Sequence, residues 1–216
     1  DASDGDITAI ENEEVAFSEL PDNGAWHLGP GRTRVLLRKL RQSSPSLGDT
    51  ALEGSVGFRG IESGADEFYH FRKVGPGKFV GMKCGSYSDS RGISVALEDA
   101  AMRPLVSTSD ARRYERPSGS GHALFPYVIE RGRARLMSEK ELRDACPGVW
   151  DWFVANETHL RSRDGRSMDK MGAWWGYTRP MNLEKQGEMK LGVPQTVTHL
   201  QAFFDLAGEF CFNNVR

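Results

Sequence analysis

The stretch Trp174-Trp175-Gly176-Tyr177-Thr178-Arg179-Pro180-Met181-Asn182-Leu183 constrains this chain more than any other. Three aromatic residues within four positions demand a packed environment, while Gly176 and Pro180 argue against a helix. A loop or strand end that fixes its aromatics by packing is expected. It also carries a guanidinium and an amide, Arg179 and Asn182. Two readings stand side by side. One is a recognition surface, where rings stack, Arg forks onto phosphate or a base edge and Asn pairs with a base. The other is a buried aromatic corner with one satisfied arginine.

A chain of 216 residues holds one large domain or two small lobes with a core. Hydrophobic content of 38% and charged content of 27% fit a soluble globular protein. No apolar run approaches the ~20 residues that span a membrane, and the N-terminus lacks the apolar core of a signal peptide. The chain does not begin with Met, and we expect a piece of a longer protein. Cys84, Cys146 and Cys211 are widely spaced, without a CxxC or a histidine pattern. A reducing, cytoplasmic setting and no zinc site are expected.

The net charge of −2 is unevenly spread. Residues 1–24 carry eight acidic side chains and no Lys or Arg, which leaves 28 basic and 22 acidic side chains, a balance of +6, for the rest. We read 1–24 as an acidic linker or arm and 25–216 as the functional domain, in one body or two lobes. Arg outnumbers Lys 20 to 8. That ratio suits planar bidentate contacts, and it equally fits a coding bias.

Along the chain, Trp26-His27-Leu28 reads as a short strand or docking point and Gly29-Pro30-Gly31 as a turn. Arg32 to Arg41 reads as an amphipathic helix with Val35, Leu36, Leu37 and Leu40 on its apolar side. Glycines 54, 57, 60 and 64 allow close approach of backbone to a partner. Phe68 to Phe71 and Lys78 to Met82 look like strands. Residues 84–94 look like a mobile loop. Glu98 to Val106 reads as a short helix broken by Pro104, and Ser109 to Tyr114 as a second. His122 to Ile129 reads as a strand with a bulge or edge at Pro126. Arg131, Arg133 and Arg135 alternate and would share one face of an extended segment. Ser138 to Glu141 forms a capping box, and Pro147 starts a helix running to about Arg161, with Val149, Trp150, Phe153, Val154 and Leu160 as its apolar stripe. Lys190 to Val193 and Leu200 to Leu206 read as strands. The pattern is α+β, with mixed, mainly antiparallel strands and several short helices.

These pieces occur in an order that resembles the TaqI-like C-terminal specificity domain, the target recognition domain of N6-adenine DNA methyltransferases and related restriction–modification enzymes. Leu47-Gly48-Asp49 precedes Gly60-Ile61-Glu62-Ser63-Gly64-Ala65-Asp66, similar to the family's Gly-Ile-x-Thr/Ser-Gly-x-Asp. Arg103-Pro104-Leu105 and Ser109-Asp110-Ala111-Arg112-Arg113-Tyr114 follow, then Leu124-Phe125-Pro126-Tyr127, similar to a Phe-Pro-Tyr strand. Leu160-Arg161-Ser162-Arg163 stands where the family has a Leu-Glu-x-Arg helix end, and Trp174 to Leu183 resembles its aromatic-Tyr-Gly-Arg-x-Gln-Asn-Leu signature. The resemblance covers about residues 26–212. Thr178 replaces a Gly of the signature, Met181 a Gln, Ser63 the commoner Thr and Arg161 a Glu.

The catalytic Asn/Asp-Pro-Pro-Tyr/Phe loop and the Gly-rich S-adenosylmethionine loop are absent from the sequence. The resemblance therefore implies a non-catalytic fragment that needs no cofactor itself. S-adenosylmethionine would belong to the parent enzyme, and the partners would be double-stranded DNA and an upstream methyltransferase catalytic domain. Such an enzyme flips its target adenine from the stack. The implied DNA contacts are Arg179 and Asn182 first. Gly60, Ser63 and Gly64 follow as phosphate donors, then Arg112, Arg113 and Arg163. Each has a structural alternative: an ion pair beneath the tryptophans for Arg179, a turn hydroxyl for Ser63. Trp174, Trp175 and Tyr127 are expected to pack rather than stack on bases.

The five histidines are dispersed, and none sits beside a Ser or Cys nucleophile with elbow glycines. A hydrolase triad has no support, and no metal site is expected. The rival reading is a protein-interaction or docking module of a phage-defence complex, consistent with the acidic arm and the modest net charge.

Overall fold

A computed structural model of the protein describes residues 31–43, 57–82, 92–110, 112, 115–117, 121–170, 172–195 and 201–213. The expected acidic arm, the strand at Trp26, the Leu47-Gly48-Asp49 triplet and Arg113 lie outside these residues. The chain divides into two units, Asp1–Val56 and Gly57–Arg216. In the first, helix α1 (Gly31–Ser43) forms where the amphipathic pattern predicts it. Its Val35, Leu36 and Leu40 are exposed.

The second unit has an α+β fold built on a six-stranded sheet. Its strands are β1 (His70–Gly75), β2 (Lys78–Gly81), β3 (Ser94–Ala96), β4 (Met102–Val106), β5 (Gly121–Leu124) and a last strand, Cys211–Phe212. In space they run last strand–β4–β5–β1–β2–β3. Every pairing is antiparallel except that of the last strand with β4, which is parallel. Helix α2 (Asp66–Tyr69) is a single turn leading directly into β1. A separate hairpin joins β6 (Tyr127–Glu130) to β7 (Arg133–Leu136). Helices α3 (Glu139–Ala145), α4 (Pro147–Ala155) and α5 (Glu157–Lys170) follow, then a second hairpin of β8 (Lys190–Gly192) and β9 (Phe203–Asp205). The last strand is thus β10.

Local chemistry explains most of these boundaries. The Ser138 hydroxyl accepts from the Glu141 N–H, and the Glu141 carboxylate accepts from the Ser138 N–H, completing the predicted capping box of α3. Pro147 opens α4, where its missing N–H costs nothing. The predicted long helix ends early, at Asn156, whose side-chain amide donates to the Trp152 carbonyl. Of its apolar stripe, Val149, Trp150, Phe153 and Leu160 are buried and Val154 is exposed.

Four local readings need correction. Residues 102–106 are a strand, not a helix: Pro104 sits in β4 opposite His122, and only a 3-10 turn at Asp99–Ala101 precedes it. Residues 66–69 coil into α2 before the strand starts at His70. His122 to Ile129 is two strands in different sheets, because Pro126 cannot donate to a ladder and the chain turns there from β5 into β6. Arg131 does not share a face with Arg133 and Arg135, because it forms a two-residue turn with Gly132. Both turn residues have positive φ, the geometry that matches the twist of a hairpin.

The core lies between the main sheet and the helices. Phe68 and Tyr69 from α2, Phe71 from β1 and Phe79 from β2 meet Leu142, Val149, Phe153 and Leu160 from α3 to α5. Full burial of side chains this size contributes about 1.5–3 kcal/mol each. A smaller cluster of Val106, Phe203, Phe210 and Phe212 packs where β10 meets β9.

Candidate functional site

The aromatic stretch is both corner and support. Trp174, Trp175 and Tyr177 are buried. Trp174 and Trp175 meet edge to face, with ring centroids 5.7 Å apart, and both contact Trp150 of α4. Tyr177 donates its hydroxyl to the Leu124 carbonyl at 2.7 Å, and Trp175 donates its indole N–H to the Met137 carbonyl. These rings are fully used in packing, as the sequence suggests for Trp174, Trp175 and Tyr127. The loop that leaves them, Thr178 to Asn182, turns to solvent.

That loop meets the other motif-bearing segment backbone to backbone. Glu62 and Arg179 form an isolated antiparallel bridge. Thr178 N–H donates to the Ser63 carbonyl and Arg179 N–H to the Glu62 carbonyl. Beneath them lies Arg163, buried at the end of the regular part of α5. Its guanidinium donates to the carbonyls of Leu160, Ser63, Trp174 and Gly176. It therefore staples the 60–66 segment to the 174–177 segment from inside. Past it, Asp164, Gly165 and Arg166 all take positive φ, a left-handed turn that strains two non-glycine residues.

The first segment and Arg179 border a cleft of about 330 Å³ lined by Arg59, Gly60 to Gly64, Asp66, Arg179, Gln195 and Asn213. Its glycines answer to the protein's own packing. A Cβ on Gly60 would overlap the Phe212 carbonyl, because Ile61 N–H already donates to that oxygen at 2.7 Å. Gly64 has φ +73° and faces the Thr178 side chain. The Ser63 hydroxyl is spent: it donates to Asp66 Oδ1 at 2.7 Å and accepts from Ala65 N–H. Asp66 in turn accepts from the Asn213 amide and lies 3.5 Å from His70 Nε2.

At the mouth of the cleft the charges interlock. Arg59 Nη1 donates to Glu62 Oε1 at 2.8 Å, and Arg179 Nη1 donates to Glu62 Oε2 at 2.9 Å. The side chains are 50% exposed for Arg59, 62% for Arg179 and 28% for Glu62. Exposed pairs of this kind add about 0–1 kcal/mol to stability, so they orient side chains more than they hold the fold.

Of the residues expected from sequence, the structure brings together Gly60, Ser63, Gly64 and Arg179. Asn182 stands at the loop's exit with φ +57°, and its carbonyl accepts from Gln186. Arg112 is exposed and is not among the cleft residues; Arg163 faces inward. Arg59, Gln195 and Asn213 were not singled out by sequence. Arg59 adjoins the Gly60 motif and was within reach of that reading; Gln195 and Asn213 carry no sequence signal. Among the described residues no group of three His, Cys, Asp or Glu is placed to hold a metal ion, and no helix is long and apolar enough to cross a membrane.

A scan against protein-family models finds no match, and a search of curated proteins finds no similar sequence.

Proposed function

We propose that this chain is a double-stranded-DNA recognition module of an N6-adenine DNA methyltransferase or restriction–modification enzyme. In this reading it is non-catalytic, and an upstream domain supplies S-adenosylmethionine chemistry. One observation supports it most. Two of the segments that resemble the specificity domain, 60–66 and 174–183, are joined across more than a hundred residues by the Glu62–Arg179 bridge, and Arg179 lines one cleft with 60–64 and Asp66. Arg179 is the exposed cation of that bridge and would hold a phosphate or read a guanine. Arg163, Ser63 and the two glycines act beneath it as architecture, which leaves Arg179 as the leading contact, with Asn182 at the exit of the same loop.

The test is duplex binding by the chain and by Arg179→Ala, titrated at several salt concentrations. Loss of affinity across all sequences, with a salt slope smaller by about one, fits a phosphate contact. A loss of about 1–3 kcal/mol confined to one base pair fits base reading. Unchanged binding by the variant removes the proposal.

A protein-docking module is the second reading, and one feature favours it. Leu191 and Phe204 form a cross-strand pair on the β8–β9 hairpin and are exposed, with Leu206 beside them. Exposed apolar side chains grouped in this way mark contact surfaces. Elution from heparin or duplex resin at low salt would favour docking over DNA recognition.

A further inference from the structure

We propose that Glu62 pairs Arg59 with Arg179 as a clamp for one phosphate group, with Arg59 as the second ligand and Glu62 as a positioning residue. Two neighbouring guanidiniums repel each other and, on flexible side chains, would spread apart. Here one carboxylate, with an oxygen for each, holds both. Each arginine engages Glu62 through Nη1, which leaves Nε and Nη2 as donors on planar, half-exposed forks. The triad carries a net charge of +1 at the rim of the cleft.

The backbone supports this spacing. Ile61 N–H is fixed on the Phe212 carbonyl, and Arg179 N–H on the Glu62 carbonyl, so the arginines rise from two anchored segments. Taking the phosphate to be a backbone phosphate of duplex DNA rests on the function proposed above. The clamp itself needs only phosphate oxygens, which a free phosphate also supplies.

The charge of Glu62 gives the decisive sign. Glu62→Gln raises the net charge by one, so a purely electrostatic role predicts tighter binding to a polyanion. A positioning role predicts weaker binding despite the added charge.

The experiment uses the full 216-residue chain, a short labelled duplex and, separately, inorganic phosphate followed by the arginine Nε–Hε signals in NMR. Arg59→Ala and Arg179→Ala should each weaken duplex binding about tenfold at low salt, and each should shrink the salt slope by about one. Glu62→Gln should weaken it about threefold, a sign that simple charge counting does not give. Arg59→Lys should keep the slope and lose affinity, because an ammonium lacks the fork. Tighter binding by Glu62→Gln overturns the positioning role. If Arg179→Ala weakens binding and Arg59→Ala does not, the clamp fails while the DNA reading stands. If phosphate shifts both arginine signals and no duplex binds, the DNA reading fails and the clamp stands as a free-phosphate site. If neither probe acts on the arginines, both fall. Should melting curves show Glu62→Gln unfolded, the exposed Arg59 variants decide the matter alone.

Discussion

The guanidinium of Arg163 lies 5.5 Å over the ring of Tyr69, a buried cation whose partners are an aromatic face and backbone carbonyls. It is the inner fastening of the cleft. In Arg163→Ala the Ser63 and Gly176 carbonyls keep a second donor, the Thr178 N–H and the Tyr69 hydroxyl, while the Leu160 and Trp174 carbonyls lose the guanidinium. Each unsatisfied buried acceptor costs about 1–3 kcal/mol, so the variant should lose at least about 2 kcal/mol of stability. Arg163→Lys should recover little, since one ammonium cannot reach carbonyls on both segments. Chemical denaturation measures both. A loss under 1 kcal/mol for the alanine variant would show that the segments hold without it.

Lys190 and Asp205 form a buried charge pair, 2.6 Å apart and 5% and 3% exposed. Asp205 also accepts from the N–H groups of Glu209 and Phe210, which fixes the turn after β9. Lys190→Ala leaves that carboxylate without its cation and should destabilise by about 3–5 kcal/mol. Combining Lys190→Ala with Asp205→Asn keeps an amide oxygen for those N–H groups and removes the unpaired charge, so it should cost less than Lys190→Ala alone. A double-mutant cycle by thermal melting checks this, and a double variant as unstable as the single would contradict it.

Alkaline pH should destabilise the unit through its tyrosines. Burial pushes Tyr69 up to about 12 and raises Tyr127 and Tyr177 as well. The folded state then keeps protons that the unfolded state gives up from about pH 10, so stability is full below pH 10 and falls as pH rises toward 12. Tyr69→Phe removes one of these titrations and should flatten the decline. That variant also loses the hydroxyl donated to the Trp175 carbonyl, so its stability at pH 7 should be lower. Parallel slopes above pH 10 for the two proteins would exclude Tyr69 as a contributor.

Acid should act locally on α3. Hydrogen bonding from Arg135 first, and then from Ser138, lowers Glu141 to about 2. Its contribution is present above the ordinary carboxylate pKa and is lost as pH falls toward 2. Amide exchange in the first turn of α3 should accelerate over that window, ahead of the α4 amides. Simultaneous acceleration in both helices would mean that the cap does not control the local opening.

Gly60→Ala tests the close approach between the motif and β10. An added Cβ collides with the Phe212 carbonyl, a backbone atom that cannot rotate away. The expected cost is about 1–3 kcal/mol, with weaker duplex binding where folding persists. Gly57→Ala, which meets open space, is the control.

Sequence chemistry was most legible where it is local. The Ser138 capping box and the Pro147 helix start need only a few neighbouring residues, and they appear where read. The stretch 102–106 was misread because Pro104 suppresses helix without announcing a strand, and the strand exists only through pairing with β5 and β10. At the cleft, Arg179 and the glycines were visible in their motifs. The reason for the glycines was not, since it lies in Phe212 and Thr178, far along the chain. Arg163 reads as a DNA contact because nothing in Leu160-Arg161-Ser162-Arg163 reveals that the helix stops there and turns its last arginine inward.

The parallel seating of β10 beside β4 has a consequence for the order of events during synthesis. The Phe212 carbonyl that anchors Ile61, and the Asn213 amide that reaches Asp66, are made more than a hundred residues after the motif they complete. On the ribosome, the first wall of the cleft emerges long before its floor. The cleft can therefore be finished only once Cys211 to Asn213 have left the exit tunnel.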